Sequence, residues 1–157
     1  CRPFLAIEGL VTLLLLLFPA SAAAGDAGGK VEYVGGTLEE FREGAEGRLL
    51  TVNEQFLVFD SKRGHYLVPW ESINLLEYGQ NVSRRYMMAV LISPLLVMSK
   101  SRKHFLSIGF SDDRGHQQAM IFRVAKKDVR ELLVCLEVKA NMQVVYQDEE
   151  ARKAGKG

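Results

Sequence analysis

The stretch Gly47–Gly79, GRLLTVNEQFLVFDSKRGHYLVPWESINLLEYG, decides the fold class. It divides into short apolar runs separated by turn residues, the pattern of successive β-strands. Gly47 to Val52 reads as a strand, and Asn53-Glu54 as a turn. Gln55 to Phe59 is the next run, and Asp60 to Gly64 is a polar loop whose glycine supplies positive φ. His65 to Trp70 follows, with Pro69 pointing to a sheet edge or the end of pairing, because proline gives a ladder no N–H. Ile73 to Tyr78 then places Ile73 and Leu75 on one face and Leu76 and Tyr78 on the other.

Strand signals continue on both sides. Val31 to Val34 alternates until Gly35-Gly36 breaks the pattern. His104–Phe110 (HFLSIGF) and His116–Val124 (HQQAMIFRV) flank Ser111–Gly115, a polar loop with a late glycine, and so read as an antiparallel hairpin. The next element changes period. Asp128 is a good N-cap with Glu131 at capping-box spacing, and Val129, Leu132, Leu133 and Leu136 fall at i, i+3, i+4 and i+7 on one helix face. Asn141 is the expected C-cap, and Val144–Tyr146 a last short strand. The fold expected from these periods is mainly β (α+β). About seven short antiparallel strands make a small bent sheet or partly open barrel, capped by one C-terminal amphipathic helix.

Gly47–Gly79 resembles the first half of bacterial pleckstrin-homology-like and GRAM-like domains. Leu67-Val68-Pro69-Trp70 and Ile73 to Glu77 stand where those domains have a strand ending in Ile-Pro-aromatic followed by Ile-x-x-Leu-Glu. KHFLSIGF and QQAMIFRV are similar to the second sheet of that family, and the helix from Asp128 to the one that plugs its barrel. The resemblance covers about residues 30–146. It implies a fold and no particular ligand, and an ordinary domain of this kind lacks the apolar insert described below. The chain also resembles a group of exported bacterial proteins with a similar Tyr33–Thr37 (Tyr-x-Gly-Gly-Thr) start and Lys-His-Phe strand; that likeness implies no activity.

The chain has 157 residues, enough for one domain with one core, and its 48% hydrophobic and 25% charged residues exclude disorder. Leu10–Phe18 (LVTLLLLLF) is an uncharged run followed by Pro19 and small residues, with Ala22 and Ala24 two apart. That order predicts a signal peptide over residues 1–24, hence export to a bacterial periplasm or the extracellular space. Nine apolar residues reach about 14 Å as helix, too short for the roughly 30 Å hydrocarbon core. Gly25–Gly29 reads as a flexible linker, residues 30–147 as the domain, and 148–157 as a disordered charged tail. Without residues 1–24 Cys135 stands alone, so no internal disulfide is expected. A net charge of +1 gives no long-range pull toward nucleic acid.

Residues 84–103 carry the main functional expectation. Arg84 and Arg85 precede thirteen mainly apolar residues, Tyr86–Met98 (YMMAVLISPLLVM), and Lys100, Arg102 and Lys103 follow. As helix these would reach about 20 Å, and Pro94 interrupts them. The first reading is contact with an anionic membrane surface or an envelope protein. Tyr86, Met87, Leu91, Leu95, Leu96 and Met98 would enter the interface, with Arg84, Arg85, Lys100, Arg102 and Lys103 on acidic headgroups. The second reading makes the segment core or a subunit interface, with no ligand, and both readings stay open on the sequence.

No catalytic set emerges, and an enzyme is not expected. His65, His104 and His116 are scattered on strands with no cysteine or carboxylate at ligand spacing, so neither metal nor cofactor is expected. Ser72, Ser107 and Ser111 lack the setting of a nucleophile. Asp112-Asp113 lacks the rest of a calcium loop, and Gly35-Gly36 has no Gly-Lys-Ser/Thr after it.

Overall fold

The structure is a computed structural model that describes residues 28–82 and 103–156. The elements run β1 (Gly28–Gly36), β2 (Ala45–Leu50), β3 (Phe56–Ser61), β4 (Gly64–Pro69), a 3₁₀ turn (Trp70–Ser72), β5 (Ile73–Gly79), β6 (His104–Ser111), β7 (Gln117–Val124), α1 (Val129–Ala140), β8 (Val145–Tyr146) and α2 (Glu149–Lys156). The strands form one sheet in the order β4-β3-β2-β1-β7-β6-β5-β8, with β4 and β8 at its edges. All pairs are antiparallel except β5 with β8. The chain is therefore mainly β, with eight strands where about seven were expected and two short helices where one was.

One face of the sheet carries the main core. Tyr33, Phe59 and Phe122 are at most 2% exposed, and Phe59 stands 4.9 Å centroid to centroid from Phe122 and 5.0 Å from Phe41. Tilted and edge-to-face ring contacts of this kind add to the area the rings bury. Helix α1 lays Val129, Leu132, Leu133 and Leu136 on this face, and each such side chain, once buried, contributes about 1.5–3 kcal/mol. Asn141 closes the helix in the left-handed conformation at φ 50°, as its position predicts.

Several local expectations change. The linker prediction for residues 25–29 fails at its end, because Gly28 and Gly29 already pair with Leu50 and Leu49 in β1. A Cβ on Gly28 would lie 2.1 Å from the Leu49 carbonyl oxygen, so the sheet uses the glycine for close approach rather than flexibility. Gly35-Gly36 does not end β1: a bulge between Tyr33 and Gly35 absorbs the break, and pairing with β7 continues to Gly36. A second register shift between Ile73 and Leu75 sends Ile73 to the core side with Leu76 and Tyr78, whereas strict alternation put it opposite them. The Asp128 side chain does not cap α1. Its carboxylate accepts from the Lys30 backbone N–H at 3.1 Å, fastening the helix start to β1.

Residues 149–156 form α2 instead of a disordered tail. Ala151 is fully buried, Asp148 Oδ1 accepts from the Ala151 N–H at 2.7 Å, and Gly155 lies against Tyr146 and Leu133. A polar stretch with two small residues four apart docks by its narrow side, which an apolar count does not register.

The signal peptide expected over residues 1–24 lies outside the described residues. So do Arg84, Arg85, Tyr86, Met87, Leu91, Leu95, Leu96, Met98, Lys100 and Arg102; Lys103 is described.

Candidate functional site

On β1 the odd residues Val31 and Tyr33 face the core, which leaves Lys30 and Glu32 on the other side of the sheet. On β2 the same alternation buries Leu49 and puts Glu46 and Arg48 outward. Register then decides what these charges meet. Lys30 stands opposite Arg48, and Arg48 opposite Asp60 of β3. One rung along, Glu46 stands opposite Glu32, and Glu32 opposite Arg123 of β7, with which it forms an ion pair. Like charges directly opposite one another destabilise a sheet locally, and the Lys30–Arg48 and Glu32–Glu46 rungs are both of this kind, with Asp60 across from Arg48 and Arg123 across from Glu32.

These residues line an open cleft of about 900 Å³. Its cations are Lys30, Arg48, Lys62, Lys103, Arg123 and Lys126, and its acids Glu32, Glu46 and Asp60. Six cations against three acids leave an excess of three positive charges, on a chain whose net charge is +1. The cleft thus concentrates cationic character that the composition hides. Gly47 sits in its wall, where a Cβ would lie 2.3 Å from the Asp60 carbonyl oxygen.

Lys103 is the one residue of the predicted 84–103 set that the described structure locates, and it stands on this cleft. The next residue, His104, borders it, but its ring turns to the core face, where Tyr78 lies. The Tyr78 phenol donates to His104 Nδ1 at 2.5 Å, and the two rings are nearly parallel. Burial pushes the Tyr78 phenol up to about 12, so it is a donor at neutral pH. Burial first, and the charge of Lys126 second, hold His104 below the ordinary histidine value, so the ring is neutral at pH 7 and accepts at Nδ1.

The other histidines stand elsewhere with acid partners. His65 Nδ1 lies 2.9 Å from Asp60 Oδ1, and His116 Nδ1 lies 3.3 Å from Asp112 Oδ2. Asp112 organises the β6–β7 turn by accepting from the backbone N–H groups of Arg114 and His116. The His116 bond is the main cause that holds its carboxyl below the usual range. Among the described residues no three His, Cys, Asp or Glu side chains gather as a metal site requires, and no helix is long and apolar enough to cross a membrane. A smaller cleft at α2 is lined by Glu137, Asp148, Glu149, Arg152 and Lys156, which gives it no excess of either sign worth a ligand.

The outer face also holds a second apolar cluster: Val34, Val82, Phe105, Ala119 and Ile121, with Leu75 packed against it. Phe105 stands opposite Arg123, so this cluster adjoins the charged rungs. Sequence reasoning found Lys103 and missed Lys30, Arg48, Lys62, Arg123 and Lys126. The signal was present in the alternation of charged and apolar residues along β1 and β2, but only register brings the two strands' charges together. No protein-family model and no curated protein matches the chain.

Proposed function

We propose that the chain is an exported, non-enzymatic binding module that docks on an anionic membrane surface through the cleft around Lys30, Arg48, Lys103 and Lys126. The observation that carries this reading is the cleft's excess of three cations, on whose rim Lys103 stands. In sequence, Lys103 is continuous with Lys100 and Arg102, so the basic flank of the apolar run begins at this cleft. Each unit of positive charge well placed at an anionic leaflet contributes about 1 kcal/mol, so a net excess of three supplies about 3 kcal/mol before any apolar contact. We further propose a pleckstrin-homology-like architecture. Its support is the run of four antiparallel strands from β4 to β1, followed by β7, β6 and β5, with a helix from Val129 against the core.

Co-sedimentation of the full chain with vesicles tests the reading. Phosphatidylcholine vesicles doped with phosphatidylglycerol should bind the protein, with affinity that falls as salt rises, while pure phosphatidylcholine should not. The paired substitution Lys30→Glu with Arg48→Glu should abolish the preference; retention of full binding by that variant sinks the proposal.

One observation favours a second reading, in which residues 84–103 complete the fold or a subunit interface. Val82 and Phe105, which flank that stretch of chain, both belong to the outer apolar cluster. Deletion of residues 86–98 separates the readings. Loss of cooperative unfolding with new binding of an apolar dye supports the second, and an intact domain with weakened vesicle binding supports the first.

A further inference from the structure

Strand β4 ends the sheet, and among the described residues no strand lies beyond it. Its pairing with β3 fixes which of its main-chain groups stay free. The two-residue turn Lys62-Arg63 makes Ser61↔Gly64 a hydrogen-bonded rung, and such rungs alternate along an antiparallel pair. Phe59↔Tyr66 and Leu57↔Val68 are then the next bonded rungs, while Asp60↔His65 and Val58↔Leu67 fall between them. The N–H and C=O groups of His65 and Leu67 therefore point away from β3, along the open edge. Pro69 has no N–H to offer there, and its carbonyl oxygen accepts from the Ser72 hydroxyl at 2.8 Å.

An open edge is a template for another strand, and lysines or inward charges usually blunt it. β4 carries neither. Val68 and Tyr66 turn to the core, so its outward side chains are His65, Leu67 and Pro69. Leu67 is 54% exposed and continues a cross-strand row with the half-buried Val58 and Leu50. We propose that β4 pairs antiparallel with β4 of a second copy of this chain, about a two-fold axis that passes beside Tyr66. In that register His65 of each copy stands opposite Leu67 of the other. Each His65 N–H then meets a Leu67 C=O, and each Leu67 N–H a His65 C=O, so both free donors of each edge are satisfied. Sliding the strands until Leu67 faces its own copy would set His65 against Pro69 and leave the His65 carbonyl without a donor. Tyr66 meets its own copy on the core side at a non-hydrogen-bonded rung, where side chains approach most closely.

Charge complementarity favours a second copy over an arbitrary strand. Antiparallel pairing brings the Lys62-Arg63 turn of each copy to the far end of β4 in the other, where the 3₁₀ turn carries Glu71. Arg63 and Glu71 are both exposed, and among the described residues neither makes an ion pair. The two-fold axis forms their contact twice. It also keeps the outer faces of both copies on one side. With the cleft read as above, the dimer presents two clefts to one membrane, and the second engages at a raised effective concentration.

Sedimentation velocity of the full chain, in reductant so that Cys135 cross-links nothing, should show a dimer whose share grows with concentration. Hydrogen exchange locates the contact. The His65 and Leu67 amides should gain protection as concentration rises, because in the monomer they face water. Arg63→Glu should weaken dimerisation about tenfold, since an exposed pair is worth up to about 1 kcal/mol and the axis makes two. Glu71→Arg should do the same, and the two changes together should restore the wild-type affinity, which a folding defect would not. Leu67→Lys, at an exposed position, should leave the chain folded and monomeric.

A chain still monomeric at about 1 mM overturns the proposal. So does a dimer whose His65 and Leu67 amides exchange freely, or one that Leu67→Lys leaves intact. Failure of the charge swap to restore affinity overturns the two-fold register. None of these measurements involves vesicles, so the dimer and the cleft stand or fall separately.

Discussion

The two faces of the sheet solve different problems with the same strands. On β1, Val31 and Tyr33 enter a continuous apolar and aromatic core closed by α1, while Lys30 and Glu32, their chain neighbours, face a charged cleft. On β7, Phe122 and Ile121 are both fully buried, yet they belong to different clusters on opposite sides. The inner face is one large cluster built from seven of the eight strands and both helices. The outer face is divided between a small apolar cluster and a cation-rich cleft. Stability is concentrated on one side, which leaves the other free to hold an electrostatic arrangement that folding alone would not favour.

The largest test of this contrast substitutes neighbouring residues. Phe122→Ala removes a ring in contact with Tyr33 and Phe59 and should cost about 3–5 kcal/mol, read as a lower urea midpoint. Ile121→Ala, one residue along and facing the other way, should cost about 2 kcal/mol, because a small cluster leaves less packing to lose. Equal costs would show that the outer cluster is as deeply supported as the core, and the contrast would break.

A smaller effect distinguishes polar burial on the outer face from charge in the cleft. Glu77 is 8% exposed, and Gln147 Nε2 donates to its Oε1 at 2.9 Å. Gln147→Ala should cost about 1–3 kcal/mol, because it leaves a buried acceptor unmatched. A loss below about 0.5 kcal/mol in thermal or urea unfolding would mean that water replaces the amide at no cost.

Titration probes the inner face, because Tyr33, Tyr78 and the His104 ring that Tyr78 holds all lie on it. Burial pushes both Tyr33 and Tyr78 up to about 12. Unfolded phenols ionise near 10, so between about 10 and 12 the unfolded state releases protons that the folded state retains, and stability should fall as pH rises through that range. The sign at His104 is opposite. Its folded value lies below the unfolded one, so its contribution is present above about pH 6.5 and is lost as pH falls through the folded value. Unfolding of the protein followed against pH should therefore decline at both ends, and His104→Gln should flatten the acid limb near pH 6 alone.

How far this was legible depends on which interactions are local. The strands from Gly47 to Tyr78 and the stripe Val129, Leu132, Leu133, Leu136 follow from spacing along the chain, and the structure places elements there. The bulges beside Gly35 and Asn74 are not periodic, so they hid the length of β1 and the side on which Ile73 packs. Asp128 has the spacing of a cap, yet a Lys30 N–H ninety-eight residues away wins its carboxylate. The cleft was illegible for a related reason. Lys30, Arg48, Arg123 and Lys126 come from three separate parts of the sequence, and only strand order β2-β1-β7 gathers them. Lys103 was found because its basic neighbours adjoin it in the chain.

The smallest expected change in stability carries the most weight for function. Lys30→Glu lies on the outer face, and a surface substitution there should shift unfolding by no more than about 0.5 kcal/mol. It also reverses one cation and so removes two units from the cleft's excess of three. At about 1 kcal/mol per charge near an anionic surface, affinity for phosphatidylglycerol-doped vesicles should fall by more than tenfold. Lys153→Glu is the matched control, because it makes the same change in net charge on α2, away from the cleft. Loss confined to Lys30→Glu locates recognition at the Lys30–Arg48 rung. Equal losses in both variants would mean that the surface reads net charge alone, and the cationic side of the sheet would then differ from the rest of the exterior in composition and not in function.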